Sequence, residues 1–221
     1  MTAIAPETRP GDLQRPPGRR ERKKQRTREA LIDAAFTLFA AKGYDATTVE
    51  EIADAVDVSS RTFFRYFASK EDVALTLQAE QQEMMLAALA ERPAHEPIMT
   101  ALRNAVVAVT RAYECGDTGA GRERFRLLLR MLGDGGGLRA GSLEHAQSAL
   151  RDTAAVIARR MDVDPAADLR PHVVAATALG AFHAALVAVG ERPMGYSTLS
   201  AALADAFEII SAGFDAPRSA P

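Results

Sequence analysis

Residues 47–70, TTVEEIADAVDVSSRTFFRYFASK, read as two short helices joined by a tight turn. Thr47 stands where it can cap the first helix, with Glu50 three residues on completing a capping box. Val49, Ile52, Ala53 and Val56 supply that helix's apolar face, and Asp57-Val58 makes the turn. Ser59 caps the second helix, which Phe63, Phe64 and Phe67 anchor from below. By spacing this is a helix-turn-helix, whose second helix enters a DNA major groove.

Working outward, a preceding helix is expected from about Lys24 to Lys42, with Leu31, Ala35, Leu38 and Phe39 inward and Gly43 ending it. Residues 1–23 are expected as a disordered basic arm and residues 24–72 as the helix-turn-helix domain. Ser69, with Asp72 at the capping-box position, starts a fourth helix reaching about Ala90. Residues 73–215 then stay helical in pattern, with no period-two strand, and 216–221 form a tail. Expected helices follow Pro93 up to Cys115, run through Phe125, Leu128, Leu129 and Leu132, and extend from Ser142 to about Met161. Asp164-Pro165 is expected to open a long Ala-rich helix to about Val189, and Thr198 a last one to about Ala212. The fold class is all-α, with an N-terminal three-helix helix-turn-helix domain and a C-terminal helical effector-binding and dimerisation domain.

Composition is that of an ordinary globular chain, 48% apolar and 25% charged, long enough for one or two cored domains. The net charge of −2 hides an asymmetry: residues 1–70 hold 13 Lys/Arg against 10 Asp/Glu, and residues 71–221 hold 14 against 19. A basic front end on a near-neutral chain suits contact with a polyanion at one end only. The single cysteine, Cys115, excludes an internal disulfide and fits a cytoplasmic protein. The apolar run Val173 to Val189 is short for a membrane span, so a buried helix is expected and no membrane partner.

The chemistry of the motif can be assigned residue by residue. Thr48 lies in the first turn of the first motif helix, where free N–H groups and a hydroxyl can hold a phosphate. Ser59, Ser60, Arg61 and Thr62 lie in the first turn of the recognition helix, the part that faces base edges. Arg61 is the expected base reader, because its guanidinium fork matches guanine O6 and N7. Arg65 follows one turn on, either against DNA or solvated. Basic residues Arg19 to Arg28 could track phosphates or enter a minor groove.

Several of these segments together resemble the TetR family of bacterial transcriptional regulators. The resemblance rests on Ile32-Asp33-Ala34-Ala35-Phe36, Phe39-Ala40-Ala41-Lys42-Gly43-Tyr44, Thr47-Thr48-Val49-Glu50-Glu51-Ile52-Ala53, Val58-Ser59 and Tyr66-Phe67-Ala68-Ser69-Lys70-Glu71. It implies that Tyr66 and Lys70 contact phosphates, that the last two helices dimerise, and that the C-terminal domain encloses an effector. Phe64 stands where family members often carry Tyr, and Arg61 where a small residue is common.

Candidate interface residues are Ala176, Gly180 and Ala184, small and recurring every four positions, with Phe207 and Ile210 adding bulk. A tight contact within one chain is the alternative. A dimer would read a palindromic operator with half-sites ~34–36 Å apart. Candidate effector-binding residues are Tyr113, Cys115, Phe125, Arg126, Met131, Phe182 and His183. Cys115 is expected as a buried small hydrophobe and His183 as a hydrogen-bonded core residue. His172 and His183 share a helix face but stand ~16 Å apart, too far to chelate one metal. Gly133 to Gly137 follows a helix and lacks a Gly-Lys-Ser/Thr ending, so it is a connection and not a phosphate loop. No metal, cofactor or catalytic constellation is expected.

The reading is a cytoplasmic, homodimeric, ligand-responsive transcriptional regulator, a repressor by analogy, binding double-stranded DNA and a small effector. The alternative is an all-α small-molecule binding protein or enzyme with an incidental basic N-terminus.

Overall fold

The computed structural model describes residues 18–116, 119–133, 138–190 and 194–213, which form nine α-helices and, among the described residues, no strand. They are α1 (Arg19–Lys42), α2 (Val49–Asp54), α3 (Ser60–Phe63), α4 (Lys70–Ala90), α5 (Ile98–Cys115), α6 (Gly119–Gly133), α7 (Leu138–Met161), α8 (Arg170–Gly190) and α9 (Leu199–Ala212). Residues 1–17 of the expected arm, 134–137 of the glycine connection and the 216–221 tail lie outside the described residues.

Hydroxyl caps set the N-terminal head. Thr48, not Thr47, caps α2: its side chain accepts from Glu51 N–H, and the Glu51 carboxylate accepts from Thr48 N–H in return. The expected Thr47/Glu50 box is one residue out of register because Thr47 is turned inward, its hydroxyl donating to Gly43 O at 2.8 Å. That carbonyl lies at the end of α1, where Gly43 takes φ 89°, a conformation that favours glycine. Ser59 caps α3 as expected, accepting from Thr62 N–H, and Ser69 caps α4, accepting from Asp72 N–H. Asp57 makes the turn between α2 and α3 at φ 55°.

Leu31, Ala35, Phe36 and Phe39 of α1, Ile52 and Ala53 of α2, and Phe63 and Phe67 are buried together. Burial of each large side chain contributes about 1.5–3 kcal/mol, enough to fix helices as short as α2 and α3 that could not stand alone. Phe64 departs from expectation: it is 55% exposed, because it falls at the C-terminal cap of α3 on the side away from that core.

In the C-terminal body α8 packs on α7 and α9, α5 on α9 and α4, and α4 on α7, while α1 packs on α4. The Glu114 carboxylate of α5 accepts from the Leu199 and Ser200 N–H groups at 2.6 and 3.2 Å, satisfying orphan donors at the start of α9. Arg160 of α7 donates to the carbonyls of Leu89, Arg92 and Pro93, closing the far end of α4.

Three boundaries differ from the sequence reading. α1 begins at Arg19, so Arg19 to Lys23 are helical and not arm. α7 begins at Leu138, ahead of Ser142. α8 begins at Arg170, because Asp164 to Asp168 form a separate turn and the Asp168 carboxylate accepts from Arg170 N–H at the helix start. Arg170 also holds the Asp168 carboxyl down at about 2, chiefly through the side-chain hydrogen bond. α8 is long and apolar enough to cross a membrane by composition, yet one face of it (Ala175, Ala181, Ala185, Ala188) is buried in the body's core.

Candidate nucleic-acid interface and ligand cavity

Four of the eight candidate DNA-contact residues cluster on one capped turn. Ser59 and Arg61 are exposed, Ser60 and Thr62 half-buried, and the Ser59 and Thr62 hydroxyls lie 3.0 Å apart. Arg61 has no hydrogen bond or ion pair among the described residues and projects from a helix whose underside is pinned by Phe63, 0% exposed. Arg65 is exposed, its guanidinium 5.8 Å from the Tyr66 ring, and Tyr66 packs half-buried against the core. Beside this turn Arg28 of α1 stacks over Phe67 at 5.3 Å, and Arg19 to Arg26 continue as exposed helix. The basic stretch is thereby attached as a rigid extension of the head.

Thr48 and Lys70 sit differently. Thr48 is exposed, but its hydroxyl and its N–H are both engaged with Glu51. Lys70 is half-buried, and its ammonium donates to Tyr44 O at 3.0 Å, Asp45 O at 3.3 Å and Thr47 O at 3.0 Å. It also lies 4.5 Å from the Tyr44 ring centre. Three donors on three carbonyls leave no free valence for a phosphate. Its side chain ties the α1–α2 loop to the start of α4. Burial, then the nearby Glu71, pushes the Tyr44 hydroxyl far above the ordinary phenol range, so that ring stays neutral beneath the ammonium.

The body encloses a cavity of about 610 Å³ between α4, α5, α7, α8 and α9. Its apolar wall includes Leu86, Leu102, Val106, Leu179, Phe182 and Phe207. Of the seven candidate effector residues, only Phe182 lines it. Tyr113 and Phe125 pack on each other between α5 and α6, ring centres 5.8 Å apart, and Met131 is buried in the core. Cys115, Arg126 and His183 are exposed, against the expectation of a buried thiol and a core histidine. Cys115 is the last residue of α5, beyond the reach of its packed face, and His183 falls on the outer side of α8. His172 is exposed too, its Nε2 2.8 Å from Pro165 O. Among the described residues no three His, Cys, Asp or Glu side chains cluster as metal ligands.

The sequence reading missed Gln78 and Gln82 of α4. Gln82 Nε2 donates to Thr153 Oγ1 at 3.0 Å across the cavity wall, and Gln78 Oε1 is buried without a partner. Their signal was two amides at i, i+4, which share one face of a helix.

Of the interface candidates, Ala176, Gly180 and Ala184 are exposed on α8 and Ile210 is half-buried on α9. Val173, Val187 and Ile209 are more than half exposed beside them. A Cβ added at Gly180 would meet nothing within 4 Å, so this stripe makes no close approach inside the chain. Phe207 is a correction: at 1% exposure it is core and cavity wall, unavailable to a second copy.

Comparison with known proteins agrees with both halves. Residues 31–77 match the family described as "Bacterial regulatory proteins, tetR family", and residues 96–215 match the "MftR C-terminal domain". The chain is 43% identical over 161 residues to the HTH-type transcriptional regulator TcmR of Streptomyces glaucescens, covering 72% of this chain and 71% of TcmR. It is 29% identical over 195 residues to the putative mycofactocin biosynthesis transcriptional regulator MftR of Mycobacterium tuberculosis, covering 88% and 94%. Among solved structures, SmeT, the repressor of the Stenotrophomonas maltophilia multidrug efflux pump SmeDEF, shares the fold with a TM-score of 0.54 at 18% identity, covering 88% of this chain and 95% of SmeT.

Proposed function

The chain belongs to the tetR family of bacterial regulatory proteins and is a DNA-binding transcriptional regulator, and from that premise we propose that it is a ligand-responsive repressor binding a palindromic operator as a homodimer. The observation that carries the DNA reading is Arg61, exposed and unpartnered among the described residues on a capped, core-pinned turn. A guanidinium so held meets guanine O6 and N7 without spending energy on leaving another partner. Ser59, Ser60, Thr62 and Tyr66 surround it as phosphate and base contacts, and the Arg19–Arg28 face of α1 follows the backbone. The protein acts in the cytoplasm, where operator DNA lies, and carries out no catalysis.

Two copies meet through α8 and α9. Val173, Ala176, Gly180, Ala184 and Val187 follow one another at steps of three or four residues, which places them on one seam of a helix. Bulky exposed apolar groups flanking small ones support a helix-on-helix contact with a second copy.

The effector occupies the cavity. α4 runs from Lys70, tied to the α1–α2 loop, to Gln78 in the cavity wall, a span of about 12 Å along one helix. A ligand that prefers one setting of α4 against α5 and α7 moves the head with it. Operator affinity then falls by the differential affinity of that ligand for the two settings.

The test is a gel-shift series on DNA carrying inverted repeats. Arg61→Ala is expected to relax base preference by about 1–3 kcal/mol at one position per half-site. Val187→Asp is expected to sediment as a monomer and lose the palindrome. Unchanged base preference in Arg61→Ala would remove the DNA assignment of α3, and a dimeric Val187→Asp the assigned interface.

A further inference from the structure

Among the described residues of the head, Phe64 is the one large apolar side chain left exposed, at 55%. Isolated apolar groups at a surface are ordinary and ask for no explanation. This one differs in how it is held and in what stands beside it. Its backbone stays in the right-handed helical region at φ −65° and ψ −7°, and its N–H donates to Ser60 O at 3.0 Å. Helical spacing therefore runs through the cap of α3. Arg61 stands three residues earlier, which puts the two side chains on one face with Cβ atoms about 5–6 Å apart. The Phe64 ring meets the Phe63 ring edge-on, centres 5.5 Å apart and planes at 87°, and Phe63 is itself wholly buried. The exposed ring is thereby braced on the core.

The groups around it divide by chemistry. The Ser59 and Thr62 hydroxyls are engaged with each other at 3.0 Å, and the Arg65 guanidinium lies 5.8 Å from the Tyr66 ring centre. Arg61 has no hydrogen bond or ion pair among the described residues. Phe64 has neither donor nor acceptor to bring to a phosphate. The apolar group that base edges present in the major groove is the C5 methyl of thymine. A guanine met by Arg61 does not carry it, and neither does the paired cytosine, so the methyl belongs to a neighbouring pair. Stacked pairs rise by about 3.4 Å, and the spacing of the two side chains then spans one or two pairs.

Resting on the reading that Arg61 meets guanine, we propose that Phe64 is a second specificity-determining residue, its ring packed on a thymine methyl one or two base pairs from that guanine. Arg61 and Phe64 together read a short guanine–thymine combination, through a charged fork and an apolar ring set one beside the other. Water leaves both the ring and the methyl when they meet, and removing either group exposes the one that remains.

The test uses the full-length protein and the duplex it selects from a library of randomised inverted repeats. In that duplex each thymine is replaced in turn by uracil, which lacks only the methyl. Each guanine is replaced by 7-deazaguanine, which loses the N7 acceptor. Binding is read by fluorescence anisotropy. At one thymine per half-site, uracil is expected to weaken wild-type binding about three- to fivefold. In Phe64→Ala that loss should shrink to within about 1.5-fold, with the 7-deazaguanine effect retained, while Arg61→Ala should lose the 7-deazaguanine effect. 5-Bromouracil at the responsive thymine, irradiated with wild-type protein, should cross-link to Phe64. No uracil effect within two pairs of the guanine overturns the proposal, and so does one that persists in Phe64→Ala. A cross-link to Arg61 or Thr62 in place of Phe64 also overturns it, and that result stands even if Phe64→Ala does not fold. Failure of the reading beneath looks different. If no guanine responds to 7-deazaguanine, or the response survives in Arg61→Ala, Arg61 is not the base reader and the spacing claimed for Phe64 falls with it.

Discussion

The head and the body of this molecule place their polar groups on opposite sides. In the head, helices as short as α3 (Ser60–Phe63) bury Phe63 and Phe67 and push Arg61 and Arg65 outward into water. In the body, α8 and α9 leave Val173, Val187 and Ile209 exposed, while Gln78, Thr110 and Thr153 face inward along the cavity. The first pattern suits a charged, solvated partner met at a surface. The second suits one apolar partner outside, a second copy, and another inside, a small molecule. One chain thus presents three chemistries by reversing the usual inside–outside order in only one of its two units.

The largest test of that division is Phe63→Ala. A fully buried aromatic lost from so small a core costs about 3–5 kcal/mol, comparable to all the stability such a head can have. DNA binding should vanish, and helical signal equivalent to α2 and α3 should melt early, while the body's own transition stays in place in a circular-dichroism melt. A single shifted transition would mean that the units unfold as one, and the contrast drawn above would be one of surface only.

Lys70→Met comes next. The resemblance to the family assigned Lys70 to phosphate, but its ammonium is spent on three loop carbonyls. Removing hydrogen bonds made by a charged donor should lower stability by about 2 kcal/mol. Operator binding should weaken through loop disorder, with a salt slope reduced by less than about one unit. A full unit lost at unchanged melting temperature would return Lys70 to the DNA.

These cases show what could be read in advance. The head was legible because its determinants are local: Ser59, Ser69 and Gly43 act on their own next turn, and the apolar periods of α1 and α2 need no partner to be recognised. Even there, the capping box slipped from Thr47 to Thr48, since only the fold reveals that Gly43 O requires the Thr47 hydroxyl. The cavity was not legible. Its wall comes from five helices distant in sequence, so Tyr113, Cys115 and Arg126 were as plausible as Gln78 until packing sorted them. Phe207 failed as an interface residue for the same reason: apolar bulk on a helix does not say which of two apolar neighbours it meets.

The capping box also gives the head an acid-sensitive contact of its own. The hydrogen bond from Lys42, then that from Thr48 N–H, holds the Glu51 carboxyl below the usual carboxylate range. A depressed folded value means its contribution is present above the ordinary carboxylate range and is lost as pH falls through the lowered one. The head's melting temperature should therefore fall on acidification below the ordinary glutamate range. Glu51→Gln should flatten that limb and leave the body's transition unaltered.

The smallest effect tests the join. Arg124 of α6 pairs with Asp33 of α1, with side chains 33% and 56% exposed, so the pair contributes at most a few tenths of a kcal/mol to stability. Asp33→Asn should melt like the parent. Its interest lies elsewhere, because α6 reaches α8 of the body as well as α1 of the head, a second route beside α4 by which the two units meet. If α4 carries the coupling alone, the ratio of operator affinities with and without a ligand in the cavity stays the same in Asp33→Asn. If the ratio changes while stability does not, the ion pair biases the setting of the head, and the opposite chemistries of the two units are joined through α6 as well.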